Sequence, residues 1–190
     1  SPPTTWGAKP LQNKRYENTA TIVKRLNKDG AIPLVKLSMV ELAGGLGYKQ
    51  PNASLTGPGL NPWDTSRWTG GSSSGSGAAV AAGLVPFALG TETWGSILTP
   101  SVYCVITGLR PTLGLVSRNG AMALSWTLDK IGPMCLNADD CGIVLDSISG
   151  YDPKDSSSSR KKFTYAPDFV MKSKPKIGIF KGILDPCEDD

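Results

Sequence analysis

The sequence predicts an α/β fold in which a mixed β-sheet is sandwiched between helices. Three observations predict it. Short apolar runs of strand type alternate with stretches whose apolar residues recur at helical spacing. Glycine, alone or in Gly/Ser/Pro clusters, stands at most of the junctions between them. With 22 Gly, 15 Pro and 19% charged residues, the chain is too rich in turn-formers for a coiled coil and too apolar for a disordered acidic tail. At 190 residues it has the length of one domain with a sizeable core.

Taken in chain order, Asn18 can cap a first helix over 19–29, where Ile22, Val23 and Leu26 form a short apolar stripe and Gly30 supplies a left-handed stop. The apolar run 31–35 reads as a strand, although Pro33 removes a ladder donor and moves it to an edge or an irregular path. Residues 43–71 are dominated by Gly, Pro, Asn, Ser and Thr and read as loop, and long loops inside compact domains are usually functional. The Gly/Ser run 70–77 continues into Ala78-Ala79-Val80-Ala81-Ala82-Gly83, small and uncharged, which predicts a structured loop feeding a buried helix. Strands are expected over 85–89, 113–116 and 176–180. Between the last two, Asn137 and Asp139 can cap a helix with Cys141, Val144, Leu145 and Ile148 at i, i+3, i+4 and i+7, closed by Gly150. Residues 151–175 read as an exposed connection.

Composition excludes several function classes. The chain contains no histidine, so a Ser-His-Asp triad, a Cys-His pair or a His-ligated zinc site cannot be built from it. A net charge of +4 is small, and the basic clusters lack interleaved aromatics, so nucleic acid is not expected as a partner. Apolar runs are too short to cross a bilayer and the start has no signal-peptide profile, so no membrane role is expected. Cys104, Cys135, Cys141 and Cys187 fit no metal or redox spacing; with Cys104 and Cys141 in apolar stretches they read as buried free thiols and point to the cytoplasm. Neither metal nor cofactor is expected.

Two segments carry chemistry. An uncharged Gly/Ser loop entering a helix aims backbone N–H groups and the positive end of the helix dipole at one point. The Lys-[Ser/Thr] of a P-loop and the third glycine and acid of a dinucleotide fingerprint are both missing, which argues against a phosphate cradle. In the second segment, Gly90 to Pro100, a strand ends in a tight turn that presents Ser96. A hydroxyl beside oriented amides suits acyl transfer, where each oxyanion donor contributes about 3 kcal/mol.

Together these segments resemble the amidase signature family. The resemblance runs over nearly the whole chain, through Gly30-Ala31-Ile32, Lys36, Met39-Val40-Glu41, Asn61-Pro62-Trp63-Asp64, Gly70-Gly71-Ser72-Ser73, Ala78 to Gly83, Gly95-Ser96-Ile97, Gly108 to Thr112 and Leu128 to Pro133. It implies the amidase signature fold, a small-molecule amide substrate and a Ser-cis-Ser-Lys triad that needs no histidine. Carried over by position, Ser96 is the nucleophile and Ser72, 24 residues earlier, is the relay serine that follows a cis peptide. Their hydroxyls are then expected within about 3–3.5 Å of each other, with a lysine ammonium near Ser72. The oxyanion hole and substrate contacts fall to Thr93, Trp94 and Gly95, the Ser96 N–H, and Ser73. The acyl-Ser96 ester is then hydrolysed.

The chain departs from the family pattern in three places. Trp94 replaces the first glycine of a Gly-Gly-Ser turn, which implies an ordinary backbone angle and an indole walling the pocket; Leu98 replaces an arginine, removing a cation. The family's lysine motif is missing. Lys36 follows Ile32-Pro33 but aligns with a later, non-catalytic segment and is not assigned as the base. Residues 1–190 are therefore read as the central part of a single domain, lacking the catalytic-lysine segment and the C-terminal portion. The partner expected is the missing remainder of the same domain, or a second copy in a homodimer. The alternatives to a free amidase are a non-catalytic binding or structural piece and the A-type subunit of an amidotransferase.

Overall fold

The computed structural model describes residues 2–44, 50–168, 174, 176 and 178. Residues 177, 179 and 180 of the strand expected over 176–180, and Cys187, lie outside the described residues. In chain order the elements are α1 (Thr21–Lys28), β1 (Leu60–Asn61), β2 (Asp64–Trp68), α2 (Ser74–Ala81), β3 (Phe87–Glu92), α3 (Leu98–Tyr103), β4 (Thr107–Gly108), β5 (Lys130–Cys135) and α4 (Ala138–Ile148). Strands β1 and β2 pair with each other, and a second sheet has the order β3–β5–β4 with antiparallel pairing throughout.

The second sheet has helices on both faces because its residues alternate. Phe87, Leu89 and Ile131 pack with Ile22 and Leu26 of α1 and with Leu145 and Ile148 of α4. On the opposite face Gly90 meets Met134, Ile97 and Ser73 so closely that a Cβ there would lie 2.8–3.0 Å from each. A period of two therefore separates a hydrophobic core from a face that receives the serine-bearing segments. Among the described residues no helix is long and apolar enough to cross a membrane.

Helix α4 begins where its cap predicts: Asn137 Oδ1 accepts the Asp140 N–H at 2.8 Å. Helix α1 is shorter than expected and Asn18 does not cap it; its first N–H is accepted by the Asn119 carbonyl, a distant partner. Gly30 ends it at φ +89°. The strand expected over 31–35 does not form: with Pro33 lacking a donor no ladder closes there, and Ile32, Leu34 and Val35 are exposed. The strand expected over 113–116 reduces to a single bridge from Val116 to Ser149, because Gly114 turns the chain at φ +80°. The strand placed at 85–89 runs instead over Phe87–Glu92.

A polar cluster ties α1 to the end of α4. Arg25 Nη1 donates to the Ile148 and Gly150 carbonyls at 2.8 and 3.1 Å, and its Nη2 donates to the Tyr151 carbonyl at 2.9 Å. Beside it, buried Asp152 accepts from the hydroxyls of Thr21 and Ser117, each at 2.6 Å. Burial alone would raise the Asp152 carboxyl. Hydrogen bonds from Ser117, Thr21 and the Lys154 N–H, with the Arg25 charge, overcome it and hold the group at about 2, below the ordinary 3.8. A depressed folded-state pKa stabilises the fold above pH 3.8, and that stability is lost as pH falls from there towards 2. Urea midpoints measured from pH 7 to pH 2 are expected to drop across that window in the wild type. Asp152→Asn should be about 1–3 kcal/mol less stable at pH 7 and lack this share of the drop; parallel wild-type and variant curves would refute the assignment.

Candidate active site

Helix α2 is buried on nearly every side, which accounts for its lack of charge and its small residues. Gly75 lies against the Ser38 backbone, whose N and O would each be 2.6 Å from an added Cβ. The hydroxyls of this segment bond to the outer edge of β3. Ser76 Oγ donates to the Leu89 carbonyl at 2.8 Å, and Ser73 Oγ accepts the Thr91 N–H at 3.2 Å and donates to the Thr91 carbonyl at 3.3 Å. These bonds dock the serine run against the strand that leads to Ser96.

The Gly71–Ser72 peptide bond is cis. The Ser72 carbonyl accepts the Val40 N–H at 3.0 Å, and its Oγ is buried with no hydrogen-bond partner among the described residues. Ser96 lies in the turn between β3 and α3 and is itself buried. Gly95 takes the positive φ of that turn, +89°, and Trp94 does not, as its size requires. The Trp94 indole is 81% exposed, beside a nucleophile candidate that is 3% exposed. One backbone bond joins the two serine segments directly: the Ser73 N–H donates to the Ser96 carbonyl at 3.2 Å.

Two buried carboxylates, which sequence reasoning did not single out, hold the turn at its ends. Glu92 Oε2 accepts the N–H groups of Ile97 and Leu98 at 2.8 and 2.9 Å, and its Oε1 lies 3.6 Å from Arg110 Nε. Asp129 accepts the Thr93 hydroxyl on one oxygen, and on the other the N–H groups of Leu124 and Ser125 at 2.7 and 3.0 Å. Lys130 Nζ donates to the Thr93 carbonyl at 3.2 Å. The signal available in the sequence was that Glu92 is the one charged residue of the segment 90–100.

The expected triad is not closed. Ser72 Oγ has no hydrogen bond to Ser96, and no lysine of the described residues reaches it. Lys36 donates to the Pro2 carbonyl and to Thr4 Oγ1 at the surface, in keeping with its exclusion as the base. Ser73 has both its hydroxyl and its N–H engaged by the fold, so it ties the two segments together. A groove of about 700 Å³ runs along β3, lined by apolar residues such as Val35, Leu37 and Phe87 and reaching Ser73 and Ser76.

The site is thus an α/β frame in which a buried serine turn lies against a Gly/Ser loop that holds a cis Gly–Ser peptide. The Amidase family model matches residues 2–188, and the chain belongs to the amidase family. It is 50% identical over 154 residues to the A subunit of glutamyl-tRNA(Gln) amidotransferase from Cupriavidus metallidurans, covering 81% of this chain and 30% of that protein. The corresponding protein of Gloeothece citriformis is 44% identical over 183 residues, 96% of this chain and 37% of that one. Among solved structures, the corresponding protein of Thermotoga maritima superposes with a TM-score of 0.80 at 39% identity, over 84% of this chain and 35% of that one. The peptide amidase of Stenotrophomonas maltophilia gives 0.76 at 39% identity, over 82% and 32%. The chain thus spans about a third of the length of the relatives it matches.

Glu92→Ala orphans two buried N–H groups at the turn and should cost about 1–3 kcal/mol. Thermal melting together with hydrogen exchange at the Ile97 and Leu98 amides reads both effects. Unchanged protection of those two amides would refute the anchoring role.

Proposed function

We propose that this chain carries the nucleophile of an amidase acting on a linear carboxylic amide. Ser96 Oγ attacks the carbonyl carbon and passes its proton through Ser72 towards a general base. The N–H groups of Thr93, Trp94, Gly95 and Ser96 receive the developing oxyanion. The C–N bond then breaks, the amine leaves with a proton, and water hydrolyses the acyl-Ser96 ester. The observation that carries this reading is the Ser73 N–H bond to the Ser96 carbonyl, which fixes the relay segment beside the nucleophile's turn. Catalytic hydroxyl pairs commonly tighten only in the reacting complex, so the open Ser72 hydroxyl is compatible with the relay.

The base is a lysine not found in its family motif in this chain, contributed by the remainder of the same domain or by a second copy. Residues 1–190 are then the central part of one amidase domain, in line with relatives about three times as long. The names of those relatives favour a second reading, in which the same Ser96 chemistry serves the amide-cleaving A subunit of a tRNA-dependent amidotransferase. Trp94 and Leu98, which replace a glycine and an arginine of the family pattern, separate the chain from that pattern at the turn itself.

A fluorophosphonate probe, applied to the protein with the remainder of its domain present and read by intact mass, tests the assignment. One adduct is expected on the wild type, none on Ser96→Ala, and labelling at least about a hundredfold slower on Ser72→Ala. Equal labelling of wild type and Ser96→Ala would remove Ser96 as nucleophile, and an unlabelled wild type would favour a non-catalytic binding or structural piece. Glutaminase activity that appears only with added partner subunits would select the amidotransferase reading.

A further inference from the structure

We propose that Lys130 is a positioning residue that polarises the oxyanion turn through its backbone. In the β3–β5 ladder Lys130 stands opposite Glu92, the residue an ammonium would ordinarily pair with. That carboxylate is already engaged: Glu92 is buried, accepts the Ile97 and Leu98 N–H groups and faces Arg110. Lys130 Nζ is directed instead to the Thr93 carbonyl, at 3.2 Å.

The Thr93 carbonyl and the Trp94 N–H belong to one peptide group. An ammonium on the oxygen draws electron density away from the nitrogen, so the N–H becomes a stronger donor, as in any chain of hydrogen bonds. The reading of Ser96 as nucleophile, on which this inference rests, makes the Trp94 N–H a donor to the acyl oxygen. Asp129 keeps the same residue in place from its side chain, through the Thr93 hydroxyl. Arg118 is engaged elsewhere, its Nη1 donating to the Trp126 carbonyl at 2.8 Å and reaching the Asp129 carbonyl at 3.4 Å, and its Nη2 donating to Ser157 Oγ at 2.8 Å. Leu98 stands where the family pattern has an arginine, and Lys130 supplies a cation to this turn from the neighbouring strand.

The test compares Lys130→Met, Lys130→Gln and Lys130→Arg with wild type by the rate and concentration dependence of fluorophosphonate labelling at Ser96, with melting temperature measured in parallel. Met and Gln are expected to slow the maximal labelling rate roughly tenfold with little change in half-saturating probe concentration, while Arg restores it to within about threefold. The Trp94 backbone amide proton should also move upfield in the Met and Gln variants and not in the Arg variant. Wild-type rates in folded Met and Gln variants, or an Arg variant as slow as Met, overturn the proposal while leaving Ser96 in place. A wild type that does not label at Ser96 overturns the underlying reading and this inference with it. Should Met and Gln fail to fold, an unshifted Trp94 amide in Lys130→Ala would overturn it as well.

Discussion

The outer edge of β3 is bound by hydroxyl groups, and the rest of the site depends on that. A strand edge exposes N–H and C=O groups that must find partners. Here Ser76 takes the Leu89 carbonyl and Ser73 takes both backbone groups of Thr91, so α2 and the loop before it sit against the strand as a further strand would. Small residues permit this. Any larger side chain at Gly90 would collide with Ser73 and Ile97, and one at Gly75 would collide with the Ser38 backbone. The Gly/Ser composition of 70–77 is thus the composition of a buried interface, and one consequence of docking is that Ser72 and Ser96 belong to adjoining turns.

Charge is used sparingly around those turns, and each charge is matched. Glu92 and Asp129 are both buried, and each accepts two backbone N–H groups, as a carboxylate removed from water must. Their bonds face away from Trp94 and Gly95, Glu92 taking the donors that follow Ser96 and Asp129 the side chain that precedes it. Backbone groups on either side of the Ser96 turn are therefore held by the fold itself.

What could be read in advance follows from the range of the forces involved. Helix α4 was legible because its cap, its apolar spacing and its terminal glycine are all local, and the buried α2 because a neutral run of small residues has few other uses. Strand β5 was not expected from the sequence, and it contains Gly132-Pro133. In the sheet, Leu109 N–H donates to the Pro133 carbonyl at 3.0 Å beyond the end of β4, and Gly132 admits the Leu109 carbonyl where a Cβ would lie 2.0 Å away. Apolar residues over 31–35 suggested a strand whose ladder Pro33 does not support. Ser72, Ser73 and Ser96 were singled out through their motifs, and the structure brings their two segments together by the Ser73 N–H bond to the Ser96 carbonyl. Asp129 and Lys130 meet Thr93 from 36 and 37 residues away in the chain, and no local pattern announces them.

Sulfur behaves in the opposite way to the serine hydroxyls. Cys104, Cys135 and Cys141 are almost completely enclosed and form no disulfide. Burial pushes the Cys104 thiol up to about 11. The hydrogen bond shared with Cys141, and then burial, raises Cys135, while the same bond lowers Cys141, which is only 1% exposed. Since the thiolate is the reactive form and needs access, an electrophile entering the folded molecule meets none of these three sulfurs in a competent state. Alkylation of the three by a maleimide or iodoacetamide would accordingly keep time with the opening of the β3–β5–β4 sheet, a chemical clock for unfolding built into the core.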